Sequence, residues 1–360
     1  MEKFTNLNQF GWHPFFEAYF NEYTGNGYSA GRVAIENKSN YLLYTEFGEL
    51  VAEISGKMFY DINGKADFPA VGDWVVFRAM LEEKKAVIDY ILPRRTKFSR
   101  KVPGAKTEEQ VVASNIDTLF IMSSMNQEFN PRRIERYLTL AWESEASPVI
   151  ILSKADLCPD IKEKRAEAES IAFGVPVHCI STVTNKGLDE LKVYFSGSQT
   201  TAIVGSSGVG KSTLINSLLG EERLKVKDIT GYKDKGLHTT TRRELIILPD
   251  GGLIIDTPGM RELQLWDGSE GVSEVFSDIE AVAANCRFAD CKHDSEPGCA
   301  IRAALRSGEI EPGRYKSYLK LQKEIKYFER RSSENAILGE KKKWKKIHKD
   351  AKKIMKMKGK

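Results

Sequence analysis

The sequence predicts a multidomain chain with three folded parts: a small β-barrel, an α/β domain with a mostly parallel sheet, and a helical segment carrying cysteines. Three observations carry this. Five short runs rich in Val, Ile, Tyr and Phe follow one another between Arg32 and Leu92, with Gly and Asn breaks between them. From Asp117 onward strand-like and helix-like runs alternate. Three of the five cysteines then crowd together with His293 between residues 286 and 299. A chain of 360 residues also exceeds one ordinary hydrophobic core.

Residues 1–27 mix aromatics with Asn and Gly and read as a loose N-terminal lead-in. The runs RVAIE, YLLYT, LVAEI, DWVVF and AVIDYIL come next, and turn residues at Asn37, Gly48, Gly56, Gly64 and Gly72 separate them. Five short strands of this kind fit an OB-fold barrel over residues 28–100, a fold that often binds oligonucleotides. Residues 93–115 carry Pro, Gly and charge and read as a linker with a basic start. Over 101–268 the runs TLFIM, PVIILS, PVHCIS, TTAIVG, RELIIL and GLIID read as strands. PRRIERYLTLAWES, DIKEKRAEAESIA, GLDELKVYF and KSTLINSLLG read as helices, the first opening on Pro131 and the last ending on Gly220. Strands alternating with helices imply βαβ units around a sheet covered on both faces. Residues 269–325 form the helical, cysteine-bearing domain, and 326–360 a basic C-terminal helix and tail.

Composition narrows the functional classes. The charged fraction is 29%, and no stretch approaches the roughly 20 apolar residues needed to span a bilayer. The N-terminus lacks the basic-then-apolar pattern of a signal peptide, so a cytoplasmic location without membrane association is expected. Five cysteines in this length are too few for a disulfide framework. The last twenty residues hold eleven Lys and one Asp. That is about +10, which against +4 overall leaves about −6 for the rest of the chain. A basic tail on a mildly acidic body points to a polyanionic partner, most simply nucleic acid, although such a tail also serves as a plain solubilising segment.

Gly205-Ser206-Ser207-Gly208-Val209-Gly210-Lys211-Ser212 matches G-x4-G-K-[ST], with Thr213 after it. It follows the strand-like TTAIV and opens the helical KSTLINSLL, the context that marks a phosphate loop. Its glycines let successive N–H groups face phosphate oxygens, and the helix N-terminus adds partial positive charge. Lys211 is the expected contact to the outer phosphates, and Ser212 a magnesium ligand. Asp256-Thr-Pro-Gly259 ends the apolar run GGLII. The carboxylate there is placed to hold magnesium through water, and the Gly259 amide to sense the γ-phosphate. Between the two motifs, GLHTTT supplies a threonine to complete the magnesium shell. Thr240 is the expected ligand, with Thr239 and Thr241 as open alternatives.

Ser153-Lys154-Ala155-Asp156 follows PVIIL. At a strand end it matches the N-K-x-D segment that reads guanine, with Ser153 in place of Asn. Asp156 accepts from guanine N1 and the exocyclic amine, and the Lys154 stem packs on the ring. Alone, the same four residues read equally as a capped helix start. A second loop, CISTVTNKGLDEL, follows, in which Ser181 offers a backbone or hydroxyl contact to the base. These base motifs precede the phosphate loop, the reverse of the ordinary order. Circular permutation explains that by joining old termini and opening a surface loop while the sheet stays intact. Cys286-x4-Cys291-x-His293-x5-Cys299 offers three sulfurs and an imidazole within fourteen residues, a Cys3His set suited to a closed, structural zinc.

The ordered set SKAD, GSSGVGKS, GLHTTT, DTPG and the cysteine cluster, with GDWV at Gly72 to Val75, resembles the circularly permuted ribosome small-subunit-dependent GTPase A family over roughly residues 30 to 325. The resemblance implies an OB-fold barrel, a circularly permuted P-loop GTPase domain and a helical zinc-binding domain. It also implies hydrolysis of GTP to GDP and phosphate with Mg2+, and zinc on Cys286, Cys291, His293 and Cys299. The expected partners are GTP and GDP, the small ribosomal subunit and its rRNA, engaged by a monomer during late subunit maturation. Two departures stand out: Ser153 for Asn, and Leu237 where the family usually has Arg before HTTT. Met260 occupies the position where many GTPases carry a water-orienting Gln, so water activation falls to His238 beside the switch threonines. Two other readings compete: a regulatory GTPase with a non-ribosomal partner, and an RNA-binding module in which nucleotide is structural.

Overall fold

In the computed structural model, residues 6–101, 108–126, 129–224, 243–256, 269–327 and 330 are described. His238, Thr239, Thr240, Thr241, Leu237, Gly259, Met260 and the lysine tail lie outside them.

Five strands close the barrel: β1 (Ser29–Glu36), β2 (Tyr41–Thr45), β3 (Gly48–Ile54), β4 (Trp74–Met80) and β5 (Lys85–Ile91). They pair in the order β1-β2-β3-β5-β4, and β4 returns to β1 through Ser29↔Phe77 to Arg32↔Trp74. All pairs are antiparallel except β3 with β5, which are parallel. This is the closed OB-type barrel that the five runs predict. Its interior is filled by alternating residues such as Val33, Leu43, Leu50, Val75, Phe77 and Ile88. A short helix α1 lies N-terminal to the barrel (Pro14–Phe20), and α2 (Gly56–Asp61) connects β3 towards β4.

The lead-in and linker differ from expectation. Residues 7–10 form a 3-10 turn, and α1 is capped by the His13 side chain and carries Pro14 in its first turn. Phe10 and Phe16 are fully buried, and the Trp12 ring meets Trp74 edge-on at 4.7 Å. The lead-in is therefore part of the core, held by aromatic area that composition alone did not reveal as a unit. Arg32, 1% exposed, explains how it is fixed. Its guanidinium donates to Phe10 O, to Gly72 O at 3.1 Å, to Asn115 O at 2.9 Å and to Thr200 Oγ1 at 2.9 Å. Burial pulls its pKa down to about 10, with Asp117 and Asp73 opposing, so the group stays charged at neutral pH. One cation thus ties the N-terminal turn and the barrel to the α/β domain. In the expected linker, β6 (Lys97–Lys101) and β7 (Glu109–Ser114) pair antiparallel as a separate hairpin. It crosses the division drawn between residues 100 and 101.

The α/β sheet continues with β8 (Thr118–Ser124), β9 (Ser147–Ser153), β10 (Val177–Cys179), β11 (Thr200–Gly205), β12 (Glu244–Ile247) and β13 (Leu253–Asp256). The order is β10-β9-β8-β11-β13-β12, parallel throughout except the antiparallel edge strand β12, which touches β1 at Ile35↔Glu244. Leu119, Ile121, Ile150, Leu152, Ala202 and Val204 face one core, and Phe120, Met122, Val149, Ile151 and Ile203 the other. Burial on both faces is why these strands read as continuous apolar runs.

Helices α3 (Pro131–Glu143) and α4 (Ile161–Ile171) cover the first face, and α5 (Lys211–Leu219) packs on the second with residues 189–198. The segment GLDELKVYF, expected as an α-helix, is a 3-10 run over Asp189–Ser198 with non-helical backbone at Ser196 and Gly197. Its few buried side chains, Leu191 and Phe195, do not require a full α-helical face. Helices α6 (Ser269–Val275), α7 (Ser277–Ala283) and α8 (Ala300–Ser307), then a helical run 312–327, form the C-terminal domain on the α3 side. The joint is ionic. Glu135 of α3, fully buried, accepts from Arg132 at 2.5 Å and Arg314 at 2.9 Å, and Arg314 also pairs with Asp278 at 2.8 Å. No helix among the described residues is long and apolar enough to cross a membrane.

Candidate functional site

The motif residues that the structure describes gather at one edge of the sheet. The loops after β9, β10 and β11, with Asp256 at the end of β13, stand at the carboxyl ends of parallel strands, where open α/β sheets form their ligand crevice. The rotated sequence order therefore leaves the spatial order of the site unbroken.

Residues Gly205 to Gly210 turn from β11 into α5. A Cβ on Gly205 would meet Met122 O at 2.5 Å, so only glycine lets the loop pass over β8. Gly208 and Gly210 hold left-handed backbone (φ 83° and 99°), which curls the chain so that α5 starts at Lys211 with no side-chain cap at Gly210. Lys211 Nζ donates to Gly205 O at 2.7 Å and Ser206 O at 2.8 Å, which folds the lysine over the loop it serves. Ser207 and Gly208 are exposed, whereas Ser212 and Thr213 are half-buried in the first turn of α5.

Asp256 ends β13 in register with Ile203 of β11, so its carboxyl lies beside the phosphate loop. It is 6% exposed. Burial pushes its pKa up to about 6, against the pull of Lys211. A divalent cation would favour the ionised form, and the hydroxyl and carboxylate of Ser212 and Asp256 are hard oxygen donors of the kind Mg2+ takes.

The base loop is tied directly to this loop. Ser153, 4% exposed, donates from Oγ to Val209 O at 2.6 Å. Its own carbonyl accepts from Met125 N at 2.9 Å. The hydroxyl thus pins the end of β9 to the phosphate loop, which gives a physical role to a residue whose replacement of Asn looked like a loss. Lys154 has left-handed backbone (φ 60°), which turns the chain outward, and Asp156 follows in an exposed 3-10 turn. Ala155 N donates to Ile180 O at 3.0 Å, so the two base loops lie side by side. Ser181 is buried, with its Oγ accepting from Thr184 N at 3.2 Å and its N–H donating to Lys186 O at 3.0 Å. Its side chain therefore shapes the second loop. The whole crevice runs from Asp256 and the phosphate loop, across β8, to the loops of β9 and β10.

Sequence reasoning did not single out Arg133. Its Nη1 donates to Ser206 Oγ at 3.0 Å. Asn130 caps α3 by accepting from Arg133 N at 3.2 Å, with Pro131 at the first turn, and this aims the first turn of α3 at the phosphate loop. The local signal was the Asn-Pro-Arg-Arg helix start, but its target lies 73 residues away.

GDWV supports the assembly from the barrel side. Gly72 (φ 94°) passes against Ser114 O, where a Cβ would collide. Asp73, fully buried, accepts both arms of Arg94 at 2.8 and 2.7 Å. The fourth group stands apart from the crevice. The ligand atoms of Cys286, Cys291, His293 and Cys299 lie within 4.8 Å of one another between α7 and α8. His293 Nδ1 is 3.5 Å from both Cys286 Sγ and Cys299 Sγ, so that nitrogen faces the centre. A tetrahedral shell with sulfur at ~2.3 Å puts ligand atoms about 3.8 Å apart, so a set gathered within 4.8 Å is compatible with such a metal.

Comparison with known proteins places these features together. Residues 91–266 match the family model described as RsgA GTPase. The chain is 45% identical over 349 residues to the small ribosomal subunit biogenesis GTPase RsgA 1 of Oceanobacillus iheyensis, covering 97% of this chain and 99% of that one. It is 43% identical over 351 residues to the small ribosomal subunit biogenesis GTPase RsgA of Opitutus terrae, covering 95% and 96%. Among solved structures, YjeQ from Thermotoga maritima superposes with TM-score 0.61 at 28% identity, over 83% of this chain and 98% of that one. The circularly permuted GTPase YloQ shares the fold with TM-score 0.58 at 24% identity, over 83% and 95%.

Proposed function

The chain belongs to the RsgA GTPase family, and from that premise we propose that it couples GTP hydrolysis to binding of the small ribosomal subunit and acts in the late maturation of that subunit. The observation that carries the site assignment is the tie between Ser153 and Val209. It joins the loop that would read the base to the loop that would hold the phosphates, as one crevice for one nucleotide.

In this reading Asp156 selects guanine, because its carboxylate accepts two N–H donors that adenine does not present in that geometry. Lys154 packs along the ring, and Ser153 and Ser181 hold the two base loops in place. The amides of Ser206 to Thr213 and the N-terminus of α5 take the phosphate oxygens, and Lys211 neutralises the outer charge. Ser212, Asp256 and Thr240 would hold Mg2+, which would neutralise charge on the outer phosphates. Gly259 senses the γ-phosphate through its amide. His238 orients the attacking water in place of the Gln that Met260 displaces, so unassisted turnover is slow and rises when the subunit orders the switch. Cys286, Cys291, His293 and Cys299 hold one structural Zn2+, which stiffens the helical domain outside the crevice. The barrel, that domain and the lysine tail contact rRNA, and the protein works as a cytoplasmic monomer.

Salt-dependent co-sedimentation with purified small subunits tests the coupling. Binding should be tighter with a non-hydrolysable GTP analogue than with GDP, and weaken with added salt as phosphate contacts are lost. Equal binding in both nucleotide states would contradict it.

A further inference from the structure

Three arginines sit in the first two turns of α3, and they differ in their partners. Arg132 pairs with Glu135 and Glu311, and Arg136 pairs with Glu324. Both are committed to the joint with the C-terminal domain. Arg133 makes no ion pair among the described residues, and its guanidinium donates to Ser206 of the phosphate loop. Ser206 is also where Lys211 is folded back, through the carbonyl of the same residue. The N-terminus of α5 begins a few residues on.

Three sources of positive charge therefore converge on one loop: the Lys211 ammonium, the α5 N-terminus and the Arg133 guanidinium. The Asp256 carboxyl and the carbonyls of Gly205 and Ser206 answer part of this charge, and a phosphate chain on the loop would answer the rest. A guanidinium carries five donors in a fixed planar fork, of which the Ser206 contact uses one. Arg133 is exposed, so the rest of the fork is free to turn toward a ligand lying on the loop.

We propose that Arg133 is a second, cis-acting cation for the outermost phosphate, held at Ser206 within reach of a triphosphate on the loop. The proposal rests on the nucleotide-site reading above. In hydrolysis the water oxygen forms a bond to the γ-phosphorus. The bond from that phosphorus to the bridging oxygen breaks, with its electron pair left on GDP. The water proton ends on inorganic phosphate. Arg133 takes no proton. It neutralises the charge carried by the γ-phosphoryl oxygens, which is the task an arginine performs best in phosphoryl transfer. GDP lacks that phosphoryl group, so Arg133 should matter little for GDP binding.

The test compares wild type with Arg133→Ala and Arg133→Lys. Binding of a fluorescent GDP is measured with and without aluminium fluoride, which mimics the phosphoryl group in flight, and single-turnover GTP hydrolysis is followed in parallel, alone and with small subunits. Arg133→Ala should bind GDP within about threefold of wild type, lose the tightening by aluminium fluoride, and hydrolyse at least about tenfold more slowly, the full effect of such an arginine being about 10³–10⁵. Arg133→Lys should fall between, since it keeps the charge without the fork. Wild-type turnover and a wild-type fluoride response in Arg133→Ala would overturn the proposal alone. So would an Arg133→Ala variant that loses GDP affinity as much as it loses turnover, because the arginine would then act only by holding the loop. A wild-type chain that binds no GDP would overturn the site reading beneath it.

Discussion

Replacing Ser153 by Ala removes one oxygen atom from a buried position and leaves Val209 O without its 2.6 Å donor. Both residues are nearly inaccessible to water, at 4% and 1% exposure, so solvent cannot supply the missing partner. Stranding a buried acceptor costs about 1–3 kcal/mol. If all of it fell on the nucleotide complex, affinity would drop by roughly 5- to 150-fold, since each 1.4 kcal/mol is tenfold. The tie joins two segments of the chain itself, so part of the loss appears as reduced stability of the fold. An intermediate loss of about tenfold in GDP affinity is expected, accompanied by a lower Tm of the nucleotide-free protein. Guanine-over-adenine preference should persist, because Asp156 is untouched. Ser153→Asn keeps a donor at this position and should bind GDP within about threefold of wild type, a change of under 1 kcal/mol. Fluorescent-GDP titration and thermal melting of the same samples measure both quantities. Wild-type affinity and wild-type melting in Ser153→Ala would refute the claim that this hydroxyl couples the two loops.

Two further outcomes follow from the packing. Arg32→Met keeps much of the volume but removes the guanidinium donor from the carbonyls of Phe10 and Asn115, while Gly72 O keeps Asn115 Nδ2 at 3.0 Å, so it should cost about 3 kcal/mol or more. Calorimetry should show a Tm lower by roughly 5 °C or more, and an unchanged Tm would mean that the N-terminal segment is not held as described. Cys291→Ser should abolish the zinc found by elemental analysis and expose residues 286–299 to proteolysis, while GDP binding persists because the cluster lies outside the crevice. Full zinc content in that variant, or loss of GDP binding with it, would count against a separate structural role.

Much of the architecture was legible because local pattern and global fold agree. The barrel strands alternate apolar residues around glycine and asparagine breaks, and the parallel strands, buried on both faces, read as unbroken runs such as Phe120 to Met122 and Val149 to Leu152. The phosphate loop was visible because its glycines meet a local steric demand, seen where Gly205 crosses Met122 O. What stayed hidden depends on contacts distant in sequence. The N-terminal turn is fixed by Arg32 and by rings that meet Trp74. The β6–β7 hairpin is polar on much of its surface and reads as a linker. Asp189–Ser198 shows helical composition but closes 3-10 turns, with Leu191 and Phe195 as its anchors. Ser153 departs from the Asn of the guanine motif, and its tie to Val209 joins positions 56 apart; the Asn-Pro-Arg-Arg helix start marked Arg133 locally, but its target Ser206 lies 73 residues away.

The account centres on a GTP-hydrolysing crevice assembled from motifs in rotated order, and turnover of GTP by the purified chain tests that most directly. Phosphate release is followed for wild type and Lys211→Ala, each with and without purified small ribosomal subunits. Wild type should turn over slowly alone and much faster with subunits, and Lys211→Ala, which lacks the ammonium that folds over Gly205 and Ser206, should show neither activity. Equal turnover by the two proteins, or no hydrolysis by wild type even with subunits present, would contradict it.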